Sequence, residues 1–203
     1  MRIGIFGGSF DPIHLGHLIL AEQCREQAQL DQVWFIPCSL QPQKQEGANS
    51  TDRQRSEMIE LALAGHEPFL LSKIEMERGG VSYTVETLEQ IRQSNPDDEI
   101  FLLMGDDSLE GFSSWREPEK ICQLATPLVV NRPGSRQVDL LVLKPYVDDA
   151  RFELLKQVAI TSPGIEVSSS AIREKVAAGS SIRYLTPRQV EKYIETQKLF
   201  LPK

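Results

Sequence analysis

The chain has 203 residues, 40% of them hydrophobic, so it is long enough to bury a sizeable core. Its formal net charge of −7 disfavours an extended nucleic-acid-binding surface. It has no run of about 18 apolar residues that would cross a membrane, and its strand-like beginning leads us to expect no secretory signal. We therefore expect one cytoplasmic domain over residues 1–203 with neither nucleic acid nor membrane as partner. The three cysteines lack metal-ligand spacing and are expected to be free thiols.

The beginning of the chain predicts a phosphate-binding site. An apolar strand is predicted at Arg2–Ile5, followed by the glycine-containing segment Gly7–Phe10 and by a helical pattern over 14–29. A strand, then glycines, then a helix N-terminus is how α/β proteins present unpaired N–H donors to an anion. His14 and His17, two of the three histidines in the chain, stand on one face of the first helical turn. Their imidazoles would add side-chain donors to the same anion.

The glycines around this segment exclude two familiar cofactor sites. Gly4, Gly7, Gly8 and Gly16 do not form the G-x-G-x-x-G fingerprint, and no Walker-type phosphate loop is present. We therefore expect no nicotinamide or flavin cofactor on this loop. Gly16, between the two histidines, leaves room for a nucleotide to lie against the backbone.

The rest of the chain alternates apolar strands with helical patterns. Further strands are predicted at Val33–Ile36, at Phe69–Leu71 together with Ile74, at Ile100–Met104, at Pro127–Val130 and at Ile165–Val167. Further helices are predicted at 51–64, where Thr51 opens a capping box, at 85–93 and at 171–178, and a surface loop is predicted at 131–139.

This alternation predicts an α/β fold, a Rossmann-like doubly wound sheet of mainly parallel strands with helices on both faces. Ligands in such sheets bind beyond the C-terminal ends of the strands. Polar candidate residues follow those ends in five places: Gly7–His17, Lys44, Gly105 with Asp106, Asn131 with Arg132, and Ser168–Arg173.

Two signatures carry a resemblance to a known family. The segment Gly7–His17 reads GGSFDPIHLGH and resembles the H-x-G-H signature of the nucleotidylyltransferase superfamily. Val167–Arg173 reads VSSSAIR and resembles its second signature, I-S-S-T-x-I-R, with the hydroxyl of Ser170 in place of the usual threonine. Three further segments resemble the bacterial nicotinate mononucleotide adenylyltransferases: Ser82–Leu88, Gly105–Ser108 and Phe112–Trp115. The resemblance spans nearly the whole chain.

The resemblance implies a reaction in NAD biosynthesis. The AMP moiety of ATP would be transferred to the phosphate of nicotinate mononucleotide, giving deamido-NAD and pyrophosphate. A phosphate monoester has its second pKa at about 6, so the attacking oxygen is anionic at neutral pH and needs no general base. The reaction needs two polyanions held in line and their charge neutralised. Mg²⁺ carried with ATP would supply part of that charge, and no all-protein metal site is expected.

The resemblance also implies which residues hold ATP. His14, His17 and Arg173 are expected to be catalytic through contacts with the phosphates, His17 with the transferring α-phosphate. Ser168–Ser170 would direct hydroxyls, amides and a helix dipole at the β- and γ-phosphates. The full set expected to bind ATP, besides those three, is Gly8, Ser9, Phe10, Gly16, Gly105, Asp106, Ser168, Ser169 and Ser170.

The expected mononucleotide site uses five other residues. Lys44 and Arg132 would hold the acceptor phosphate. The amides of Tyr83 and Thr84, at a helix start, would bind the nicotinate carboxylate, and Trp115 would stack on the pyridine ring.

Two further positions lie in or near these predicted sites. Gln43 stands where the family commonly has a phosphate-facing histidine, although its amide still offers a donor. Asp11, which precedes Pro12, is expected to shape the turn by accepting hydrogen bonds from nearby amides.

Several alternatives remain open from the sequence. The acceptor could be nicotinamide mononucleotide or phosphopantetheine, and a cytidylyltransferase would share the first signature. A redox enzyme with a dinucleotide fold, or a nucleotide-sensing module without turnover, would belong to other classes. The chain is also compatible with a homo-oligomer.

Overall fold

A parallel sheet forms the centre of the computed structural model, which describes residues 1–40, 48–131, 139–157 and 160–202. Its strands are β1 (Arg2–Gly8), β2 (Gln32–Pro37), β3 (Phe69–Leu71), β4 (Glu99–Met104), β5 (Thr126–Asn131) and β6 (Ile160–Thr161). The strand order is β3-β2-β1-β4-β5-β6, and each neighbouring pair is parallel. The order reverses between β1 and β4, which is the switch point where such sheets bind ligands. The predicted Rossmann-like α/β fold is confirmed.

Helices cover both faces of the sheet. They are α1 (Leu15–Gln27), α2 (Asp52–Leu63), α3 (Ile74–Arg78), α4 (Thr84–Ser94), α5 (Asp106–Glu110), α6 (Pro118–Leu124), α7 (Asp149–Gln157), α8 (Ser169–Ala177) and α9 (Arg188–Gln197), with 3₁₀ turns at Phe112–Ser114 and Leu140–Tyr146. Helices α1, α2, α8 and α9 bury apolar side chains on one face of the sheet, and α4, α5, α6 and α7 do so on the other. In the part of the chain that the structure describes, none of the helices has the length and apolar character to cross a membrane.

The strands supply apolar side chains to both faces because successive residues of a strand point to opposite sides. In β1, Ile5 belongs to the cluster under α4 and Phe6 to the cluster under α1. Each fully buried side chain of this size contributes about 1.5–3 kcal/mol. This double burial explains why the strands read as continuous apolar runs rather than as alternating ones.

The structure corrects three predicted elements. The first strand extends to Gly8, which pairs with Pro37 of β2, so the glycines belong to the strand end rather than to the loop. Ile74 begins α3 instead of continuing a strand. Ile165–Val167 is not a strand in the structure. The edge strand next to β5 is instead β6 (Ile160–Thr161). The backbone of Thr161 exchanges two hydrogen bonds with the side-chain amide of Gln27.

The three cysteines are free and buried. Burial raises the pKa of Cys24 to about 12 and that of Cys38 and Cys122 to about 11. Because the thiolate is the reactive form, we expect a thiol reagent at pH 8 to leave the folded protein unlabelled and to modify all three cysteines in denaturant. Colorimetric titration with and without denaturant checks this. Fast labelling of any cysteine in the folded protein would contradict the buried placement.

Candidate active site

The two histidines of the first signature fix one another at the start of α1. His14 is the N-cap residue, and its Nδ1 accepts a hydrogen bond from the backbone N–H of His17 at 3.3 Å. Reciprocally, Nδ1 of His17 accepts from the backbone N–H of His14 at 3.2 Å. The two rings are stacked, with centroids 3.6 Å apart. Since Nδ1 accepts in both rings, each neutral imidazole carries its proton on Nε2.

Neighbouring side chains hold this pair in place. The rings of Phe6 and Phe10 meet the His17 ring edge-on, with centroid distances of 5.9 and 5.0 Å. A Cβ at position 16 would stand 3.1 Å from Nδ1 of His14, so Gly16 gives the His14 ring its space. The contact of Gly16 with a nucleotide stays a prediction.

The second signature packs directly against the loop of the first. Ser168 is the N-cap of α8, and its hydroxyl accepts from the N–H of Ala171 at 3.1 Å. The hydroxyl of Ser169 donates to the carbonyl of Pro12 at 2.9 Å. The two segments predicted to share the ATP phosphates are therefore adjacent in the fold, although they lie far apart in the sequence.

Arg173 joins the same two segments through its guanidinium. Its Nη1 donates to the carbonyl of Asp11 at 2.7 Å, and its Nη2 donates to the hydroxyl of Ser170 at 3.2 Å. The side chain is only partly buried, so it lies at the surface where α8 begins and the loop after β1 ends.

Asp11 is bonded differently from the sequence expectation. It is 2% exposed, and its carboxylate accepts from the backbone N–H of Asn49 at 2.6 Å. The expected acceptor role is present, but the donor lies just before α2 rather than in the turn itself. Asp11 thereby ties the loop after β1 to the segment that precedes α2.

Gly105 and Asp106 follow β4, the strand beside β1 at the switch point. Gly105 is the N-cap of α5 and Asp106 is its first residue. Asp106 therefore lies in the first turn of the helix. Its position beside the loop after β1 is compatible with the predicted contact to a ribose.

The mononucleotide candidates Tyr83, Thr84 and Trp115 all lie on the face of the sheet that α4 covers. Tyr83 is the N-cap of α4 and Thr84 its first residue, and the Tyr83 side chain makes no capping hydrogen bond. The guanidinium of Arg116 lies over the Tyr83 ring at 4.8 Å and donates to Glu86 of α4 at 2.7 Å. Trp115 is half-buried, with its ring 5.4 Å from that of Phe112. The contact of Arg116 with α4 thus brings Trp115 towards the helix start.

Lys44, Gln43 and Arg132 lie outside the described residues, as does most of the predicted loop at 131–139, so their roles stay predictions. Within the described ranges, no group of three or more His, Cys, Asp or Glu side chains is arranged to hold a metal ion.

Comparison with known proteins identifies the family. A family model described as cytidylyltransferase-like matches residues 5–175. A protein of Salinibacter ruber, named a probable nicotinate-nucleotide adenylyltransferase, is 38% identical over 202 residues, which cover 100% of this chain and 99% of the relative. The chain belongs to the nicotinate-nucleotide adenylyltransferase family. A relative in Exiguobacterium sibiricum with the same name is 41% identical and covers 98% of this chain and 99% of its own.

Solved structures of adenylyltransferases share the fold. The nicotinic acid mononucleotide adenylyltransferase of Plasmodium falciparum complexed with NaAD has a TM-score of 0.72 and 18% identity, covering 98% of this chain and 97% of that chain. The same enzyme complexed with APC has a TM-score of 0.71 and 19% identity, covering 98% and 96%. At these identities the likeness concerns the Rossmann-like fold alone.

Proposed function

We propose that this protein transfers the adenylyl group of ATP to nicotinate mononucleotide, giving deamido-NAD and pyrophosphate. The observation that carries the proposal is the direct packing of the Ser168–Arg173 segment against the H-x-G-H loop. That packing assembles two imidazoles, a helix N-terminus and a guanidinium at the switch point of the sheet. The proposal is also supported by relatives 38–41% identical over full length that bear the name of this activity.

The chain's part in the reaction is positioning and charge neutralisation. An oxygen of the acceptor phosphate forms a bond to the α-phosphorus of ATP as the bond to the bridging oxygen breaks, and pyrophosphate leaves with the electron pair. His17 donates from Nε2 to the α-phosphate, and His14 donates to the neighbouring phosphate. The amides and dipole of α8 and the guanidinium of Arg173 hold the leaving pyrophosphate. None of these groups has to remove a proton from the nucleophile.

ATP enters as its Mg²⁺ complex in this proposal. Mg²⁺ keeps several waters and is commonly bound through substrate phosphates with few protein carboxylates. When bound, the ion neutralises charge that develops on the leaving phosphates. The remaining ATP-binding assignments are amides of Gly8, Ser9 and Phe10 on the phosphates and Asp106 on the ribose.

The acceptor lies beside the start of α4. The amides of Tyr83 and Thr84 stand at the N-terminus of α4, where a helix offers N–H donors without intrahelical partners, and there they bind the nicotinate carboxylate. Trp115 stacks on the pyridine ring, and Lys44 and Arg132 hold the acceptor phosphate. A helix N-terminus favours an anion over a neutral amide, which is the physical reason for choosing the nicotinate form. A cytoplasmic location and a homo-oligomer stay predictions.

Trp115 gives a specific prediction for this site. Trp115→Ala is expected to raise the KM for nicotinate mononucleotide about tenfold, since one ring stack contributes about 1–3 kcal/mol. The KM for ATP should stay within about twofold. Trp115→Phe, which keeps a ring, is the matched control and should recover most of the loss. Steady-state kinetics measure both values, and an unchanged mononucleotide KM in a folded alanine variant would remove Trp115 from the site.

Pyrophosphate release tests the proposed function. Purified protein is given ATP and Mg²⁺ with nicotinate mononucleotide, nicotinamide mononucleotide or phosphopantetheine in parallel. We expect turnover mainly with the nicotinate form. Faster turnover with the nicotinamide form would reverse the assigned preference, and turnover with phosphopantetheine would move the protein to a sister activity. No release with any acceptor would contradict the proposal.

A further inference from the structure

The loop between β1 and α1 is held by its carbonyl groups. Between Ser9 and Ile13, four backbone carbonyls each accept a hydrogen bond from a side chain elsewhere in the chain. These are Ser9 from Arg55 at 2.9 Å, Asp11 from Arg173 at 2.7 Å, Pro12 from Ser169 at 2.9 Å and Ile13 from Thr186 at 2.8 Å. Ser169 and Arg173 belong to the second signature. Arg55 and Thr186 belong to neither signature.

Arg55 lies at one end of this loop. It is 0% exposed, and its guanidinium also bonds the carboxylate of Asp52 at 2.6 Å. The Ser9–Phe10 peptide bond is trans, so its carbonyl and its N–H point in opposite directions. By drawing the Ser9 carbonyl towards α2, Arg55 turns the N–H of Phe10 away from α2. That N–H is one of the donors assigned to the ATP phosphates.

Thr186 lies at the other end and acts on the histidine pair. It is 3% exposed, and its hydroxyl donates to the carbonyl of Ile13. The N–H of the same trans peptide group belongs to His14 and donates to Nδ1 of His17. A continuous hydrogen-bonded chain therefore runs from the Thr186 hydroxyl through one peptide group to the His17 ring. Such chains polarise their members, so the Thr186 bond strengthens the N–H as a donor to Nδ1.

The backbone next to Thr186 supports the same end of the loop. The carbonyl of Leu185 accepts from the N–H of Leu15 at 3.0 Å. Residues 185 and 186 therefore contact the chain on both sides of His14. This clamp fixes the residue whose N–H orients the His17 ring.

We propose that Arg55 and Thr186 are positioning residues for adenylyl transfer. Arg55 orients the Phe10 amide, and Thr186 orients the His17 ring and keeps its proton on Nε2. The kinetic part of this inference rests on the proposed function, whereas the orientation of His17 does not. A merely structural role would lower stability without changing the kinetics of the folded enzyme.

Thr186 offers a nearly isosteric test. Thr186→Val removes the hydroxyl but keeps the branched shape, and Thr186→Ser keeps the hydroxyl. At a temperature where circular dichroism shows each variant folded, Thr186→Val should lower kcat about tenfold, the equivalent of one hydrogen bond. The KM for nicotinate mononucleotide should not change, and Thr186→Ser should stay within about twofold of the parent in kcat.

Arg55→Lys, which keeps one donor and the charge, should raise the KM for ATP without changing that for the mononucleotide.

Nitrogen NMR of the histidine rings tests the inference independently of activity. Long-range ¹H–¹⁵N spectra should show His17 with its proton on Nε2 in the parent and in Thr186→Ser, and a mixture of both tautomers in Thr186→Val. A folded Thr186→Val protein with unchanged His17 signals and unchanged kcat would overturn the inference for Thr186, and an unchanged KM for ATP in folded Arg55→Lys would overturn it for Arg55. If the parent releases no pyrophosphate with any acceptor, the proposed function fails, and the His17 signals still decide the positioning claim.

Discussion

His17→Ala is expected to lower kcat for adenylyl transfer by about 10²–10³-fold, the usual loss when one preorganised donor to a developing charge is removed. The expected loss is large because the ring is already fixed before ATP arrives. Its Nδ1 is bonded to the His14 amide, one face is stacked on His14, and the rings of Phe6 and Phe10 meet it edge-on. These contacts hold the ring in one orientation.

Three further variants define the role of His17. His17→Gln carries an amide nitrogen close to the position of Nε2 and should recover part of kcat, whereas His17→Asn is too short and should resemble His17→Ala. His66→Ala is the histidine control, since His66 is exposed and contacts Glu22 on the outer side of α1. It should leave kcat unchanged. A loss below about tenfold for His17→Ala would contradict the assigned phosphate contact.

Arg173→Ala is expected to lower kcat/KM for ATP by about 10²-fold, because it removes a charged donor from the phosphates and a carbonyl contact from the loop. In the structure the two arms of the guanidinium contact the Asp11 carbonyl and the Ser170 hydroxyl. Lysine offers a point charge without that geometry. Arg173→Lys should therefore remain well below the parent enzyme.

Steady-state kinetics with ATP as the varied substrate check the Arg173 prediction. Arg53→Ala serves as the control, because the Arg53 side chain is 86% exposed and bonds only Glu57 among the contacts described. It should behave as the parent does. Parent-like values for Arg173→Lys would show that charge alone is sufficient and would contradict the role of the fork.

The sequence predicts the central part of the fold well for a clear physical reason. Buried parallel strands are continuous apolar runs, so β2, β4 and β5 could be located within a residue or two. The capping box at Thr51 and Gln54 also correctly located the start of α2. The edge strand β6 could not be located in this way, since a strand of two residues leaves almost no hydrophobic pattern in the sequence.

Helix α9 was not predicted although the sequence contains a signal for it. Val190 and Ile194 are buried and four residues apart, which is the spacing of one helical face. The polar residues around them obscured this short stripe. Helix α9 packs against α2, where the hydroxyl of Tyr193 donates to Glu57.

The candidate site is predictable where its residues form local motifs and is not predictable where they act across the fold. His14, His17 and Ser168–Arg173 stand in short signatures. Arg55 and Thr186 reach backbone carbonyls 46 and 173 residues away. A side chain that bonds a distant carbonyl leaves no spacing pattern in the sequence, so only the structure identifies these contacts.

The most direct test of the account follows the phosphorus atoms of ATP. ATP labelled with ³²P at the α-position is incubated with the protein, Mg²⁺ and nicotinate mononucleotide, and the products are separated. We predict that the label appears in deamido-NAD, and that label placed instead at the γ-position appears in pyrophosphate. An α-label that remains in ATP, or that appears in free AMP without a labelled dinucleotide, would contradict adenylyl transfer to the mononucleotide.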